Sequence, residues 1–225
     1  MVVLNKKRIT LVAIAACFSI FAFMFTTARL DTKETVVLPV SGKTIVLDAG
    51  HGGIDSGASN DDKTIYEKDV NLAITLKLKE LIEASGGLVI LTRDDDSSLY
   101  EESENKTIRQ KYNENLKNRK KIADDSNADM FVSIHLNYFT ESKYSGAQTF
   151  YPEEMDDSKV LAKSIQDELK RVVDDSNNRV IKPRNNLYLL KNCKMPSVLI
   201  ECGFLSNEKE AELLNDEKYQ EKIAW

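Results

Sequence analysis

Short apolar runs rich in β-branched residues recur along this chain, at 44–48 (TIVLD), 88–92 (LVILT), 130–135 (MFVSIH) and 197–201 (SVLIE). Each is too short for a helix and is bounded by Gly, Asp or Ser, so each reads as a buried strand. Weaker strand signals lie at 147–151 and 187–190, while 179–183 looks irregular. Between them are stretches whose apolar residues fall at helical spacing. One runs from about 66 to 85, with Val70, Ile74, Leu78, Leu81 and Ile82 inward, and is stopped by Gly86-Gly87. A second spans 107–125 with Ile108, Tyr112, Leu116 and Ala123 inward, and a third 156–174 with Val160, Leu161, Ile165, Leu169 and Val172 inward. A last helical segment starts near 207. Buried strands alternating with amphipathic helices predict an α/β domain: a mainly parallel central sheet of about six strands with helices on both faces.

The amino end is different in kind. Lys6, Lys7 and Arg8 precede an uncharged apolar stretch from Ile9 to Ala28. About twenty residues at helical rise cross a bilayer core of roughly 30 Å. Residues 1–30 therefore read as a signal-anchor or a cleavable signal peptide, the length favouring the uncleaved anchor. The cationic cluster predicts an extracytoplasmic body, anchored to the membrane or secreted. Residues 31–43 read as a tether, and 44–225 as the one catalytic domain. The chain carries 31 basic and 36 acidic residues, a net charge of −5, and every acidic residue lies after position 30. So acidic a body excludes a nucleic-acid partner. The cysteines, Cys17, Cys193 and Cys202, are too few for a disulfide framework.

The chain holds two histidines, and each closes a strand-like run: His51 in DAGHGG and His135 in FVSIHLN. The carboxyl ends of buried strands are where α/β proteins keep their sites. Glu67 lies on the apolar face of the first helix, one turn before Val70. It has two readings. Thr64-x-x-Glu67 matches a capping box; alternatively Glu67 joins the two imidazoles as a His₂Glu set, a catalytic zinc arrangement with one position left for water. Nitrogen and oxygen donors together favour zinc over magnesium or calcium. Glu201, ending an apolar strand at the same sheet edge, is either paired with Arg93 or Arg119 or is a working base whose burial lifts its pKa toward a useful range. Cys202 points to the opposite face and reads as packing. Asp48 and Asn137 are candidate contacts to ligand side chains or substrate, with packing and turn roles equally open. Arg93, Arg119 and Arg179 are candidate partners for substrate carboxylates, or ion-pair partners within the fold.

Four blocks in order, DAGHGG (48–53), YEKDVNL (66–72), FVSIHLN (131–137) and PSVLIECGFLSN (196–207), resemble the zinc-dependent N-acetylmuramoyl-L-alanine amidases of the type 3 family. The resemblance runs from about Thr44 to the carboxyl end and is greatest to the short, membrane-anchored CwlD-type germination-specific branch. It implies a six-stranded sheet flanked by helices, zinc on His51, Glu67 and His135, and Glu201 as catalytic acid/base. It implies cleavage of the amide joining the lactyl group of N-acetylmuramic acid to L-alanine in peptidoglycan. For the spore branch it further implies a place between forespore and mother-cell membranes. There, stem-peptide removal prepares a deacetylase to make muramic lactam in the cortex. Ligands from three distant segments also suggest an accessory protein that assists metal loading. The sequence ends inside an amphipathic helix that relatives usually extend. Two other readings stand beside this one, a zinc peptidase cutting within the stem and a noncatalytic wall-binding module. A nucleotide-binding fold is disfavoured, because the glycines near His51 lack a Walker Lys-Ser/Thr or G-x-G-x-x-G pattern.

Overall fold

The computed structural model describes residues 10, 14–20, 39–101, 103–191 and 193–225. The signal-anchor expected at 1–30 and the tether up to residue 38 lie largely outside the described residues. Among the described residues, no helix is long and apolar enough to cross a membrane. Residues 39–43 belong to the folded unit that starts at Pro39 rather than to a tether. Val40 packs on the core, and the Lys43 carbonyl accepts from Leu88 N–H.

Six strands form one sheet: β1 (Thr44–Ala49), β2 (Leu88–Leu91), β3 (Met130–Asn137), β4 (Gln148–Tyr151), β5 (Lys182–Pro183) and β6 (Ser197–Phe204). Their order is β2-β1-β3-β6-β4-β5. The first four in that order run parallel, β4 is antiparallel to β6, and β5 is parallel to β4. In the unit that begins at Pro39, the described helices are α1 (Glu67–Ala84), α2 (Ile108–Asp125), α3 (Asp156–Val172), α4 (Tyr188–Lys191), α5 (Glu208–Leu214) and α6 (Glu217–Ala224). Strand alternation sends Ile45, Leu47, Val132, Ile134, Val198 and Ile200 into one core, with Val70 and Ile74 of α1 and Ala162 and Leu169 of α3. Val46, Phe131 and Leu199 face a second core with Ala123 of α2 and Leu190 of α4. Burial on both faces explains why the central strands carry continuous apolar runs rather than strict alternation.

Several local expectations are corrected. The segment 187–190 is no strand: Tyr188–Lys191 forms a helical turn, with Lys191 N–H on the Leu187 carbonyl. The strand that completes the sheet is instead β5, Lys182–Pro183, in the stretch expected to be irregular. Pro183 has no N–H to give, which restricts it to the sheet edge it occupies. In α2 the inward residues are Asn115, Arg119 and Ala123, whereas Ile108, Tyr112 and Leu116 are exposed. The polar stripe of this helix faces a polar interior beside β1, where Arg119 meets Asp48. In α3 the buried positions are Ser158, Ala162, Gln166 and Leu169, and Val160 is exposed. Gln166 bonds both the Thr149 N–H and the Ala147 carbonyl, and the Ser158 hydroxyl accepts from Ser197 N–H. These side chains supply partners where strand ends lack them. The last helix packs, with Ala224 buried and Ile223 against the core.

Candidate metal centre

β1 delivers the chain to the carboxyl edge of the sheet, and two buried arginines hold the loop beyond it. Arg93 donates from Nε to the Ala49 carbonyl and from Nη2 to the Gly50 and Lys68 carbonyls, all within 2.9 Å. Arg119 donates from Nη1 to the Ala49 carbonyl and from Nη2 to the His51 carbonyl. Its charge is balanced by Asp48, which is wholly buried and lies 2.6 Å from Nη1. Thr92 and Ser133 hydroxyls also donate to Asp48. Burial opposes ionisation of Asp48, yet Arg119 and these hydroxyls bring its pKa down to about 2. Asp48, Arg93 and Arg119 are therefore framework, not substrate contacts, and neither arginine pairs with Glu201. The frame holds His51 at φ +63°, a left-handed conformation that costs a non-glycine residue about 1 kcal/mol or more.

Held this way, His51 turns Nε2 toward Glu67 Oε1 at 3.1 Å and Nδ1 toward Asp55 Oδ2 at 2.8 Å. His135, near the end of β3, brings Nδ1 to 3.0 Å from the same Glu67 oxygen. The two imidazoles meet edge to face with centroids 5.0 Å apart. One donor atom from each of His51, Glu67 and His135 falls within 4.8 Å of the others. Glu67 is the first residue of α1 but does not cap it, so the capping-box reading fails. The N-cap is Tyr66, with no side-chain cap. The Glu67 carboxylate accepts instead from Ala58 and Leu136 N–H groups.

The site fits a cation on two physical grounds. Glycines leave no room for more than these side chains: a Cβ on Gly50 would sit 2.3 Å from the His135 ring, and one on Gly57 2.6 Å from Glu67 Oε2. The electrostatics also call for positive charge. Burial of His51 disfavours its charged form, yet its hydrogen bonds to Asp55 and Glu67 outweigh this and lift the imidazole pKa to about 10. Glu67, though buried, is held well below the usual carboxylate range by the two histidines.

Glu201 stands opposite, on β6, paired in register with His135. It is 8% exposed, and its Oε2 has no hydrogen-bond partner. Burial raises its pKa, the neighbouring Glu67 also raising it against the pull of His135 and Arg184. The cation that reaches it is Arg184, with Nη1 3.6 Å from Oε1. Arg179 is engaged elsewhere: Nε donates to the Ser145 carbonyl, Nη1 to Gln148, and the guanidinium lies over the Phe204 ring. The Asn137 carbonyl accepts from Leu205 N–H, continuing the pairing of β3 with β6 beyond its register shift. Cys202 is buried in the opposite core and burial pushes its thiol up, as packing requires. Asp55 is the residue that sequence reasoning missed; its one signal was its place four residues after His51, within a loop of turn-forming residues.

An α/β sheet with two imidazoles and a carboxylate gathered at its carboxyl edge, and a second, unsatisfied acid across from them, defines a hydrolase of the metal-site type. The family model described as N-acetylmuramoyl-L-alanine amidase matches residues 45–225. The chain belongs to this family and is an enzyme of that class. It is 40% identical over 205 residues to the germination-specific N-acetylmuramoyl-L-alanine amidase of Bacillus subtilis, covering 91% of this chain and 85% of that one. It is similar to the CwlD amidase of Clostridioides difficile, solved in complex with the GerS lipoprotein. That match has 74% identity and a TM-score of 0.80, covering 81% of this chain and 93% of the other. An N-acetylmuramoyl-L-alanine amidase from Clostridium difficile 630 matches at 34% identity and a TM-score of 0.69, covering 81% and 90% of the two chains. The mainly parallel six-stranded architecture and the germination-specific resemblance are both borne out.

Proposed function

We propose that this chain is a zinc hydrolase that cleaves the amide between the lactyl group of N-acetylmuramic acid and L-alanine in peptidoglycan. The observation that carries the reading is the convergence of His51, Glu67 and His135 on one point opposite the unpartnered carboxylate of Glu201. Mixed nitrogen and oxygen donors suit zinc. When bound, zinc supplies Lewis acidity toward a water molecule and the scissile carbonyl. Asp55 fixes His51 through Nδ1, leaving the Nε2 lone pair for the ion. Glu201 takes a proton from the attacking water and passes it to the nitrogen of L-alanine as the C–N bond breaks. Its raised pKa matches that double duty, because it makes the carboxylate a stronger base toward the water and keeps the proton on it until the leaving nitrogen takes it.

The similarity to germination-specific amidases supports a finer reading. The enzyme removes stem peptides in spore cortex, preparing a deacetylase to form muramic lactam. It works between the forespore and mother-cell membranes, held by residues 1–30. The complex of the C. difficile CwlD amidase with a lipoprotein supports a protein partner here, and we propose that this partner assists metal loading. The test is digestion of peptidoglycan by the zinc-loaded chain. New L-alanine amino termini with intact stems and free glycan strands are expected, and Glu201→Gln should abolish them. Products cut within the stem would establish a peptidase instead. Wall binding without any cleavage would leave only a binding module.

A further inference from the structure

The guanidinium beside Glu201 has no structural task that accounts for it. Arg184 follows the edge strand β5 and is anchored through its backbone, with its N–H on the Tyr151 carbonyl. Reciprocal hydrogen bonds between Asn185 and Glu153 fix the neighbouring turn. The side chain lies over the Phe150 ring, 5.1 Å from its centroid, and remains 39% exposed. An arginine serving as an ion-pair partner for a carboxylate makes bonds of about 2.7–2.9 Å, commonly two in parallel. Arg184 stops at 3.6 Å from Glu201 Oε1 and leaves Oε2 unbonded. No hydrogen bond from its guanidinium is found among the described residues. It is held in place beside Glu201, oriented by an aromatic face and partly exposed to solvent, with donors to spare.

Resting on the amidase reading, we infer that Arg184 is a specificity-determining residue that receives a free carboxylate of the stem peptide next to L-alanine. The direction comes from the reaction. Glu201 hands its proton to the leaving nitrogen, so the stem, not the glycan, departs past Glu201. A hydrogen bond of about 3 Å from that nitrogen to Glu201 Oε1, then 3.6 Å to Nη1, puts the guanidinium at most about 7 Å away. Two extended residues span about 7 Å. That is the reach of the acidic residue joined to alanine. Of the other arginines near the site, Arg93 and Arg119 are buried in the frame and Arg179 is bonded to Ser145 and Gln148.

The test compares two synthetic substrates, N-acetylmuramyl-L-alanyl-D-isoglutamyl-L-lysine and its isoglutaminyl counterpart, in which that carboxylate is an amide. The zinc-loaded wild type should prefer the acid by about tenfold or more in kcat/KM, the scale of a charge-assisted hydrogen bond. In Arg184→Gln this preference should collapse to about one, with the loss falling in KM for the acid. Arg184→Lys should retain part of it. A wild type without preference, or a preference that survives in Arg184→Gln, overturns the inference while leaving the amidase reading intact. A slowing of both substrates alike in kcat also overturns it, since that marks a residue acting through Glu201. Failure of the wild type to release either stem overturns the amidase reading itself.

Discussion

Replacing Asp48 by Asn tests the frame on which the metal centre rests. The substitution keeps the shape and removes the charge, leaving Arg119 buried at 2% exposure without its counter-ion. Two independent routes give the cost. The fall of the Asp48 pKa from 3.8 to about 2 corresponds to roughly 2 kcal/mol of native stability. Removing one partner of a buried pair costs about 3–5 kcal/mol, because the stranded charge adds its own penalty. The larger figure applies, since Asn also turns an amide donor toward either the Ser133 or the Thr92 hydroxyl. For a domain of this size that is a melting temperature lower by roughly 6–20 °C. The sign with pH is fixed as well. A depressed carboxylate pKa contributes stability that is complete above 3.8 and is lost as pH falls through about 2. The gap between wild type and Asp48→Asn should therefore stay flat from pH 5 to 8 in urea or thermal unfolding. A gap below about 1 kcal/mol, or one that varies across that range, would refute the argument that this pair holds the frame.

Gly50→Ala pushes a methyl to within 2.7 Å of three atoms of the His135 ring, so the ring must move by about 1 Å to reach ordinary contact. Metal titration should show weakened zinc binding, and stem release should drop by about 100-fold; wild-type zinc affinity would count against the cradle. Stripping zinc with a chelator should lower the melting temperature, by the equivalent of about 4 kcal/mol where zinc had been at a thousandfold excess over its Kd. A melting curve indifferent to zinc would argue against His51, Glu67 and His135 as ligands. Thr107→Ala removes the capping box with Gln110 at the start of α2 and should cost about 1 kcal/mol without altering substrate preference. No change in unfolding would show that this helix end contributes nothing.

The alternation of buried strands and helices was legible because both faces of the central sheet are covered, which makes strands short and apolar in any such fold. His51, His135 and Glu201 were legible as site residues because each closes one of those strands. Glu67 was ambiguous, since an acidic residue at a helix start satisfies capping and ligand patterns equally; only its bonds to Ala58 and Leu136 separate them. The inward face of α2 was misread because an apolar-stripe rule cannot foresee a buried arginine. Arg119 lies inside only because Asp48, 71 positions earlier, is there to meet it. Arg184 was invisible for a related reason. Its neighbourhood depends on a two-residue edge strand with no apolar pattern, and the apolar run at 187–190 points to a strand in the wrong place.

The four side chains proposed to do the chemistry come from a loop after β1, the first turn of α1, a position near the end of β3 and the middle of β6. No contiguous fragment shorter than about 150 residues contains them all. A wall-cutting enzyme arranged like this stays harmless while its chain emerges from the ribosome, because cutting power arrives only when the sixth strand slots between the third and fourth. Truncating the chain anywhere between residues 51 and 201 removes at least one of the four.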